Sequence, residues 1–406
     1  MFDEKPRLLY VAHRVPFPPD KGDRIRNYHL LRQLTRIATV SLACLADEPV
    51  SRETTEELNR LCDDVAIVPV PGVSRWIRGG LSLLGGRSLS EGAFHVPELS
   101  QWLADWQAKK SFAAAVVSAS SLAPYLRQNG LERVPGFVDI VDCDGQKWFD
   151  FANAVSGPKR WLYRLEGRRV QKLERETAMW AAACSLVSRA ECDLFDRTVG
   201  AGTATVATNG VDLEYFRPTE MHESLACAFV GALDYLPNVD AAVWFTDRVW
   251  PRVRERFPTA EFRLIGRKPT LVVRRLGERT GVKVVGQVPD VRPHVATASV
   301  CVVPMRLSRG LQNKVLESLA MGKATVASPP SLAAIHAVPG RDLLKAESVE
   351  EWVTAVCQVL DDPTRRRELG LAGRRFVEEN HDWETCLQPL TELIEMAMAP
   401  ALSGVA

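Results

Sequence analysis

Residues 306–326 combine cationic side chains, a glycine and a carboxylate around the start of a predicted helix. Gly310 lets the backbone approach a ligand closely, because glycine has no side chain and adopts conformations that other residues avoid. A helix of about ten residues follows from Leu311, and its first N–H groups have no partner inside the helix. Such free N–H groups attract phosphate, so the segment has the chemistry of an anion site.

Arg306, Arg309 and Lys314 add positive charge at one end of this helix, where they can neutralise charge that develops on a departing diphosphate. Glu317 lies three residues beyond Lys314 and therefore on the same helix face. Its carboxylate can accept hydrogen bonds from a ribose diol. A solvated helix start with an ion pair between Lys314 and Glu317 has the same pattern, so a purely structural role stays open.

Other candidate residues directly follow short apolar runs, which are typical of buried parallel strands. They are His13, Asp142 with Asp144, Gly231 and Arg267. Ligands of open α/β sheets bind beyond the carboxyl ends of the strands, so these positions predict a site. The structural alternatives are a histidine without chemistry and, for the acidic pair, a capped turn.

The first helix begins at Gly22 and carries Arg24 and Arg26. Gly22 lets the preceding loop approach a diphosphate. The two arginines can bind an anionic acceptor or simply face solvent.

Short apolar runs alternate with segments of helical periodicity along the whole chain of 406 residues. This repetition predicts right-handed strand–helix–strand units and an α/β fold with doubly wound parallel sheets. A polar, irregular stretch near residue 220 predicts two Rossmann-like domains, 1–220 and 221–382, facing each other across a cleft. Residues 383–406 predict an amphipathic helix that packs back on the N-terminal domain.

Composition favours an ordinary globular protein, since hydrophobic residues make up 46% and charged residues 25%. The formal net charge of +1 gives no reason to expect nucleic acid as a partner. Nine cysteines without CxxC or zinc-finger spacing indicate reduced, buried thiols. Without a signal-peptide pattern or an apolar run of about 18–20 residues, we expect a cytoplasmic protein.

Several motifs resemble one known family. The segment GLQNKVLESLAMGKATVAS, from Gly310, resembles the donor-site signature of GT-B glycosyltransferases of family 4. Residues 15–22 resemble the family's Pro-rich N-terminal loop, 208–218 its interdomain segment, and 229–238 the first turn of its donor domain. The matches span nearly the whole chain in the family's order. VDCDGQKW and SRGLQNKVLESLAMG are most similar to the sugar transferases associated with PEP-CTERM/exosortase gene clusters.

The resemblance implies a retaining hexosyltransferase-like enzyme that uses a nucleotide-diphosphate sugar and needs no metal or other cofactor. It implies a glycan or polyprenyl-linked acceptor and a role in exopolysaccharide synthesis. The implied donor-binding residues are Gly22, Gly231, Arg267, Arg306, Gly310, Leu311 and Glu317. The catalytic candidates are Arg309, Lys314, Asp142, Asp144 and His13, with no metal ligand among them.

One position departs from the family. Many members carry two glutamates eight positions apart, and Glu317 matches the second of them. Arg309 stands at the first position, whose glutamate usually contacts the donor sugar. The nucleotide end of the site therefore follows the family pattern, whereas the sugar end does not.

Two segments indicate contact with an anionic membrane. Residues 158–176 hold seven Lys or Arg against three Glu, with aromatic residues between them, and residues 76–89 are largely apolar. Such stretches can lie on a bilayer surface, which predicts peripheral attachment at the inner membrane face. An ordinary basic helix packed on its own domain is the alternative.

Three other classes of protein are compatible with the same pattern of strands and helices. A GT-B nucleotide-sugar 2-epimerase needs carboxylates and histidines in both halves, and this chain has only seven histidines. A dinucleotide-dependent oxidoreductase is disfavoured because no G-x-G-x-x-G follows an apolar run. A non-catalytic nucleotide-sugar-binding protein stays open because of Arg309.

Overall fold

A computed structural model describes residues 5–20, 22–70, 72–128, 130–200, 202, 204–219, 221, 223–307 and 310–399. The chain divides into two compact units. The first comprises the chain up to Thr208 together with the residues from Leu387 onward, and the second comprises Asn209–Cys386. The division into domains 1–220, 221–382 and 383–406 remains a prediction from the sequence.

The described residues of the first unit form a sheet of seven parallel strands in the order β3-β2-β1-β4-β5-β6-β7. They are β1 (Arg7–Ala12), β2 (Thr39–Ala46), β3 (Asp64–Pro69), β4 (Ala114–Ser118), β5 (Gly136–Val141), β6 (Ala183–Leu186) and β7 (Ala204–Val206). The strand order reverses between β1 and β4. Their carboxyl ends therefore flank the crevice in which doubly wound sheets bind ligands.

Helices cover both faces of this sheet, so the central strands are buried on both sides. The helices are α1 (Gly22–Ile37), α2 (Arg52–Leu61), α3 (Gly72–Leu84), α4 (Leu89–Phe94), α5 (Pro97–Lys109), α6 (Asp144–Asn153), α7 (Pro158–Ala178) and α8 (Arg189–Val199), with 3₁₀ segments at Ser120–Arg127 and Leu131–Arg133. Local sequence sets several ends. Ser188 caps α8 by accepting a hydrogen bond from the N–H of Glu191, and Gly200 ends it with φ of 76°.

The described residues of the second unit form a parallel sheet of six strands in the order β10-β9-β8-β11-β12-β13. They are β8 (Ser224–Val230), β9 (Glu261–Ile265), β10 (Val282–Gly286), β11 (Ala298–Val303), β12 (Thr325–Ala327) and β13 (Leu344–Lys345). Here the order reverses between β8 and β11, which marks the equivalent crevice.

The helices of the second unit begin with α9 (Leu236–Trp244), which continues through a π-helical turn at Phe245–Val249 into α10 (Trp250–Arg256). They continue with α11 (Leu271–Leu276), α12 (Arg292–Ala296), α13 (Asn313–Ala320), α14 (Pro329–Leu332), α15 (Val349–Asp361), α16 (Pro363–Asn380) and α17 (Trp383–Met398). The core is aromatic: Phe245 contacts Phe262 and Trp352 with ring centroids 4.7 and 5.7 Å apart. From Leu387 onward, α17 belongs to the first unit.

The predicted α/β fold with two doubly wound, Rossmann-like sheets is confirmed. Alternating apolar runs were sufficient to predict it, because parallel strands buried on both faces need continuous apolar segments. Among the described residues, no helix combines the length and the apolar character needed to cross a bilayer.

Candidate functional site

Two glycines form the carboxyl edge of the second sheet at β8 and β9. The N–H of Gly231 donates to the carbonyl of Ile265 at 3.0 Å. Gly266 has φ of 153°, and a Cβ there would lie 1.8 Å from the carbonyl oxygen of Gly231. A Cβ on Gly231 would lie 2.9 Å from the amide nitrogen of Asn238. A side chain at Gly266 would therefore collide with backbone and one at Gly231 would displace Asn238, so the two glycines give the site a floor of bare backbone.

Arg267 follows this floor at the end of β9. Its carbonyl accepts a hydrogen bond from Leu233 N–H at 2.9 Å, which fixes the backbone. The half-buried guanidinium has no hydrogen-bond or ion-pair partner in the described part of the chain. An arginine held at a strand end without a carboxylate partner is available to an anionic ligand.

Lys314 lies in the first turn of α13, whose start has no side-chain cap. Its ammonium donates to Asn238 Oδ1 at 2.5 Å and lies 5.1 Å from the centroid of the Phe229 ring. Burial lowers the pKa of Lys314 to about 8, against the opposing influence of Glu317. The lysine thus belongs to the same edge of the sheet as Gly231, since both contact Asn238.

Glu317 is half-buried one turn further along α13. Burial raises the pKa of its carboxyl to about 7, although the charge of Lys314 lowers it. Its carboxylate has no hydrogen-bond or ion-pair partner among the described residues, and the ion pair with Lys314 is not formed. A poorly solvated carboxylate without partners is unfavourable unless a ligand supplies hydrogen-bond donors.

The remaining predicted donor residues have different surroundings. Gly310 has φ of 64°, a left-handed conformation that favours glycine, and the half-buried Leu311 packs against the core of the unit. Arg306 forms an ion pair with Asp240 and lies 6.0 Å from the centroid of the Trp244 ring. Arg306 is therefore engaged by α9. Arg309 lies outside the described residues.

Three residues without a role predicted from the sequence hold α13 in place. Asn238 joins Lys314 to the backbone, since its amide also donates to the carbonyl of Ala232 at 2.9 Å. Asn209 donates to Asn313 Oδ1 at 3.0 Å at the start of the helix. At its other end, Arg374 donates to the carbonyl of Ala320 at 2.6 Å. Asn238 and Asn209 stand within the family-like segments, but nothing local to Arg374 indicates this contact.

His13 follows β1 at the crevice of the first unit. Its backbone N–H donates to Ser118 Oγ at 3.3 Å, and its Nε2 lies 3.4 Å from Asp23. Burial alone would raise the pKa of Asp23, but His13 and Arg14 hold it well below its usual range. His13 is thus positioned between β4 and an ionised carboxylate.

Asp142 follows β5 beside a strained backbone. Val141 has φ of 73° and Ala119, after β4, has φ of 81°, values that non-glycine residues rarely adopt. One buried carboxylate oxygen of Asp142 has no hydrogen-bond partner among the described residues. Burial raises the pKa of Asp142 to about 6, against the charge of Lys147. An unpartnered carboxylate at a strained strand end is typical of a functional site.

Asp144 differs from its neighbour, because it accepts a hydrogen bond from Ser120 Oγ at 3.4 Å and lies 3.8 Å from Lys147 Nζ. Over the ranges described, no group of three or more His, Cys, Asp or Glu has a metal-binding arrangement.

The residues at the start of α1 have different surroundings, and not all of them fit the roles predicted from the sequence. Gly22 is its exposed first residue. The expectation that Arg26 binds an anionic acceptor or faces solvent is wrong. Its guanidinium is buried and donates to both carboxylate oxygens of Asp139, each at 2.7 Å. Arg24, also buried, pairs with Glu48 at 2.9 Å.

Comparisons with known proteins find sequence relatives for part of the chain. Residues 225–362 match the family model described as glycosyl transferases group 1. A GDP-mannose-dependent monoacylated alpha-(1-6)-phosphatidylinositol monomannoside mannosyltransferase from Corynebacterium glutamicum is 26% identical over 208 residues, covering 46% of this chain and 55% of that protein. A GDP-mannose-dependent alpha-(1-6)-phosphatidylinositol monomannoside mannosyltransferase from Mycolicibacterium smegmatis is 28% identical over 162 residues, covering 36% and 42%. The chain thus spans about half the length of these curated relatives.

Solved structures extend the similarity to the whole fold. Sucrose-phosphate synthase from Thermosynechococcus elongatus superposes with a TM-score of 0.72 at 17% identity, covering 98% of this chain and 100% of that one. Anabaena HepE in complex with UDP and glucose superposes with a TM-score of 0.66 at 12% identity, covering 96% and 99%. Identities this low show the fold alone. The chain therefore has the GT-B fold of these solved structures, and its residues 225–362 match the model of the glycosyl transferases group 1 family.

Proposed function

We propose that this protein is a retaining glycosyltransferase that takes its sugar from a nucleotide-diphosphate donor bound by the second unit. The observation that carries the proposal is the pair Lys314 and Glu317. Both are largely withdrawn from water on α13, yet they form no ion pair with each other. Lys314 donates to the neutral amide of Asn238, and Glu317 has no partner among the described residues. A pair that burial destabilises and no opposite charge compensates favours a ligand with both an anionic group and hydroxyl donors.

A nucleotide-diphosphate sugar has both kinds of group, since its anionic diphosphate is attached to a ribose that carries two hydroxyls. We assign the diphosphate to Lys314 and Arg267 above the glycine floor, and the ribose hydroxyls to Glu317. The bare backbone at Gly231 and Gly266 admits a phosphate at close range. UDP is the nucleotide in the HepE complexes, and GDP-mannose is the donor of both curated relatives, so the base is left to experiment.

Transfer develops negative charge on the departing diphosphate. In the free protein, burial lowers the pKa of Lys314 to about 8. The negative charge of the bound diphosphate favours the protonated form of this lysine. Lys314 and Arg267 then stabilise the leaving group electrostatically, which suits a reaction without a bound metal. The departing phosphate can accept the acceptor's proton, so the retaining reaction needs no protein base.

The first unit is the proposed acceptor site, with His13 and Asp142 at the carboxyl ends of β1 and β5. The acceptor class is a lipid-linked glycan, supported by the phosphatidylinositol mannosides named for both curated relatives. With such an acceptor, we propose that the protein works at the inner face of the membrane. The similarity of VDCDGQKW to exosortase-associated transferases supports a role in exopolysaccharide synthesis in a PEP-CTERM context.

Thermal-shift titration of the full chain with UDP, GDP and dTDP tests the donor site, because a ligand of the folded state raises Tm. We expect one nucleotide to stabilise wild type and to bind Glu317→Gln about tenfold or more weakly, since the variant loses charged hydrogen bonds. Lys283→Ala, at an exposed position of β10, is the control and should bind normally.

Turnover of the matching nucleotide sugars, with short-chain polyprenyl-diphosphate sugars as acceptors, tests transfer. We expect the product to keep the donor's anomeric configuration, which NMR can determine. If a nucleotide binds but no sugar is released from any donor, the protein is a nucleotide-sugar-binding protein and the proposal is wrong.

A further inference from the structure

Helix α3 of the first unit has its apolar face outside. Trp76, Ile77, Leu81 and Leu84 point to solvent with exposed fractions of 69%, 59%, 63% and 86%. At 3.6 residues per turn they share one face of the helix with Gly80. This face contains no charged residue among the positions described. A helix on a water-facing surface normally has the opposite polarity.

The polar face of α3 is packed inward. Arg75 lies 4.5 Å from the centroid of the Phe94 ring, and Arg78 donates to the carbonyl of Ala93 at 3.2 Å. Ser82 donates to the carbonyl of Ser88 at 2.8 Å. A Cβ on Gly92 would lie 2.2 Å from the Cβ of Ser82, so α3 and α4 are in tight contact. Rotation of α3 to bury its apolar face would therefore break this packing.

Helix α7 is joined to the same segment. Arg169 donates to the carbonyls of Leu83 and Arg87 at 2.6 and 2.7 Å. Glu166 accepts hydrogen bonds from the N–H groups of Leu89 and Ser90 at 2.6 and 2.8 Å. The end of α3 and the middle of α7 are thus held together within one unit.

The exposed face of α7 is cationic and aromatic. Arg164 and Arg168 are one turn apart, and Trp161 precedes them with an exposed fraction of 67%. Neither arginine has an acidic partner in the described part of the chain. We call the exposed faces of α3 (Trp76, Ile77, Leu81, Leu84) and α7 (Trp161, Arg164, Arg168) the outer surface.

We propose that the outer surface binds an anionic phospholipid bilayer, with α3 lying in the headgroup region and α7 contacting acidic lipids. Trp and Leu side chains are those that interfacial helices insert, and each arginine near an anionic membrane adds electrostatic attraction. The inference rests on the proposed function only in that a lipid-linked acceptor explains why a transferase would use such a surface.

A protein partner is the competing occupant. Protein interfaces exclude unpaired charge from their centres and require a complementary acidic surface opposite these arginines. A second copy of the chain would bring the same cationic face, which repels itself. The unpaired cations beside a charge-free apolar face therefore favour a bilayer.

Vesicle flotation tests the apolar face. We expect the full chain to float with an equimolar mixture of phosphatidylcholine and phosphatidylglycerol, and less with phosphatidylcholine alone. Trp76→Ser with Leu84→Ser should weaken partitioning about tenfold or more, because two large side chains lose their burial in lipid. The control, Leu271→Ser with Leu371→Ser, changes two large exposed apolar residues of the second unit and should float like wild type. Flotation of the α3 variant at wild-type levels would overturn the proposal.

The charge of α7 is tested separately. Arg164→Glu with Arg168→Glu should remove the part of binding that depends on phosphatidylglycerol and low salt. Arg367→Glu with Arg375→Glu, at exposed positions of α16, is the matched control. Equal binding of the two charge variants to vesicles would show that α7 is not part of the membrane-binding surface.

Two lipid-free measurements separate the outcomes. All variants should keep the nucleotide-induced rise in Tm, which shows that they fold and that the donor site is intact. A wild-type chain that floats but binds no nucleotide would leave the surface standing and contradict the proposed function. A lipid-free oligomer that Trp76→Ser with Leu84→Ser dissociates in sedimentation would instead show a protein interface, and the membrane proposal would be wrong.

Discussion

At the residue scale, the donor site depends on how burial changes the charge of two side chains. Burial lowers the pKa of Lys314 to about 8 and raises that of Glu317 to about 7, so both titrate near neutral pH in the free protein. A bound diphosphate favours protonated Lys314, and ribose hydroxyls favour ionised Glu317. Ligand binding and proton binding are therefore linked at this site.

This linkage predicts the pH dependence of nucleotide affinity. Above pH 8 the free protein loses the Lys314 proton, and binding must return it. The affinity should then fall up to about tenfold per pH unit until the pKa of the bound state is reached. Isothermal titration calorimetry in buffers of different ionisation enthalpy should detect proton uptake in this range.

Lys314→Arg is the matched variant, because arginine stays protonated throughout this range. We expect its affinity, whatever its value at pH 7.5, to stay flat between pH 8 and 9. A variant that loses affinity in parallel with wild type would show that another group titrates, and Lys314 would not be the diphosphate ligand.

At the scale of the elements, the site depends on two strand ends that touch. Gly266 lies so close to Gly231 that any side chain would displace the backbone of β8 or β9. We predict that Gly266→Ala lowers the free energy of unfolding of the second unit and weakens nucleotide binding, since the glycine floor would move. Denaturant titration and the nucleotide-induced rise in Tm measure the two effects.

Gly286, at the end of β10, is the control for backbone strain. It also has positive φ, 78°, but a Cβ there would have no neighbour within 4 Å. Gly286→Ala should therefore cost only the strain of its conformation, about 1–2 kcal/mol, and leave nucleotide affinity unchanged. Equal effects of the two alanine variants would show that strain alone matters, and that the close contact of β8 and β9 does not shape the site.

At the scale of the whole molecule, the fold could be predicted from the sequence, whereas most contacts between distant residues could not. Buried parallel strands require apolar runs, so both sheets could be predicted, and Lys314 and Glu317 follow from helical spacing. The partner of Arg306 could not be predicted, because Asp240 is distant in sequence and joins it only through folding. The apolar character of residues 76–89 indicates membrane contact, but only the folded structure shows which side chains of α3 point outward.

The buried pair of Arg26 and Asp139 is the clearest example of a contact made only by the folded chain. It joins α1 to β5 across 113 positions, Ser185 of β6 donates to Asp139 at 2.7 Å, and Arg26 also donates to the carbonyl of Thr208 at 3.3 Å. One guanidinium thus connects the first helix of this unit to the end of its sheet. Removing it would leave the Asp139 carboxylate buried without its countercharge.

Arg26→Met should therefore lower the free energy of unfolding by about 3–5 kcal/mol, the usual cost of leaving a buried charge unpaired. Arg26→Met combined with Asp139→Leu should recover much of the loss, because two packed apolar side chains avoid the desolvation of both charges. Denaturant titration of the full chain measures both variants, with Arg52→Met, in an exposed pair with Glu56, as the control. If the single variant is as stable as the double variant, the pair adds nothing that packing alone does not supply, and the first unit is held together by its apolar core.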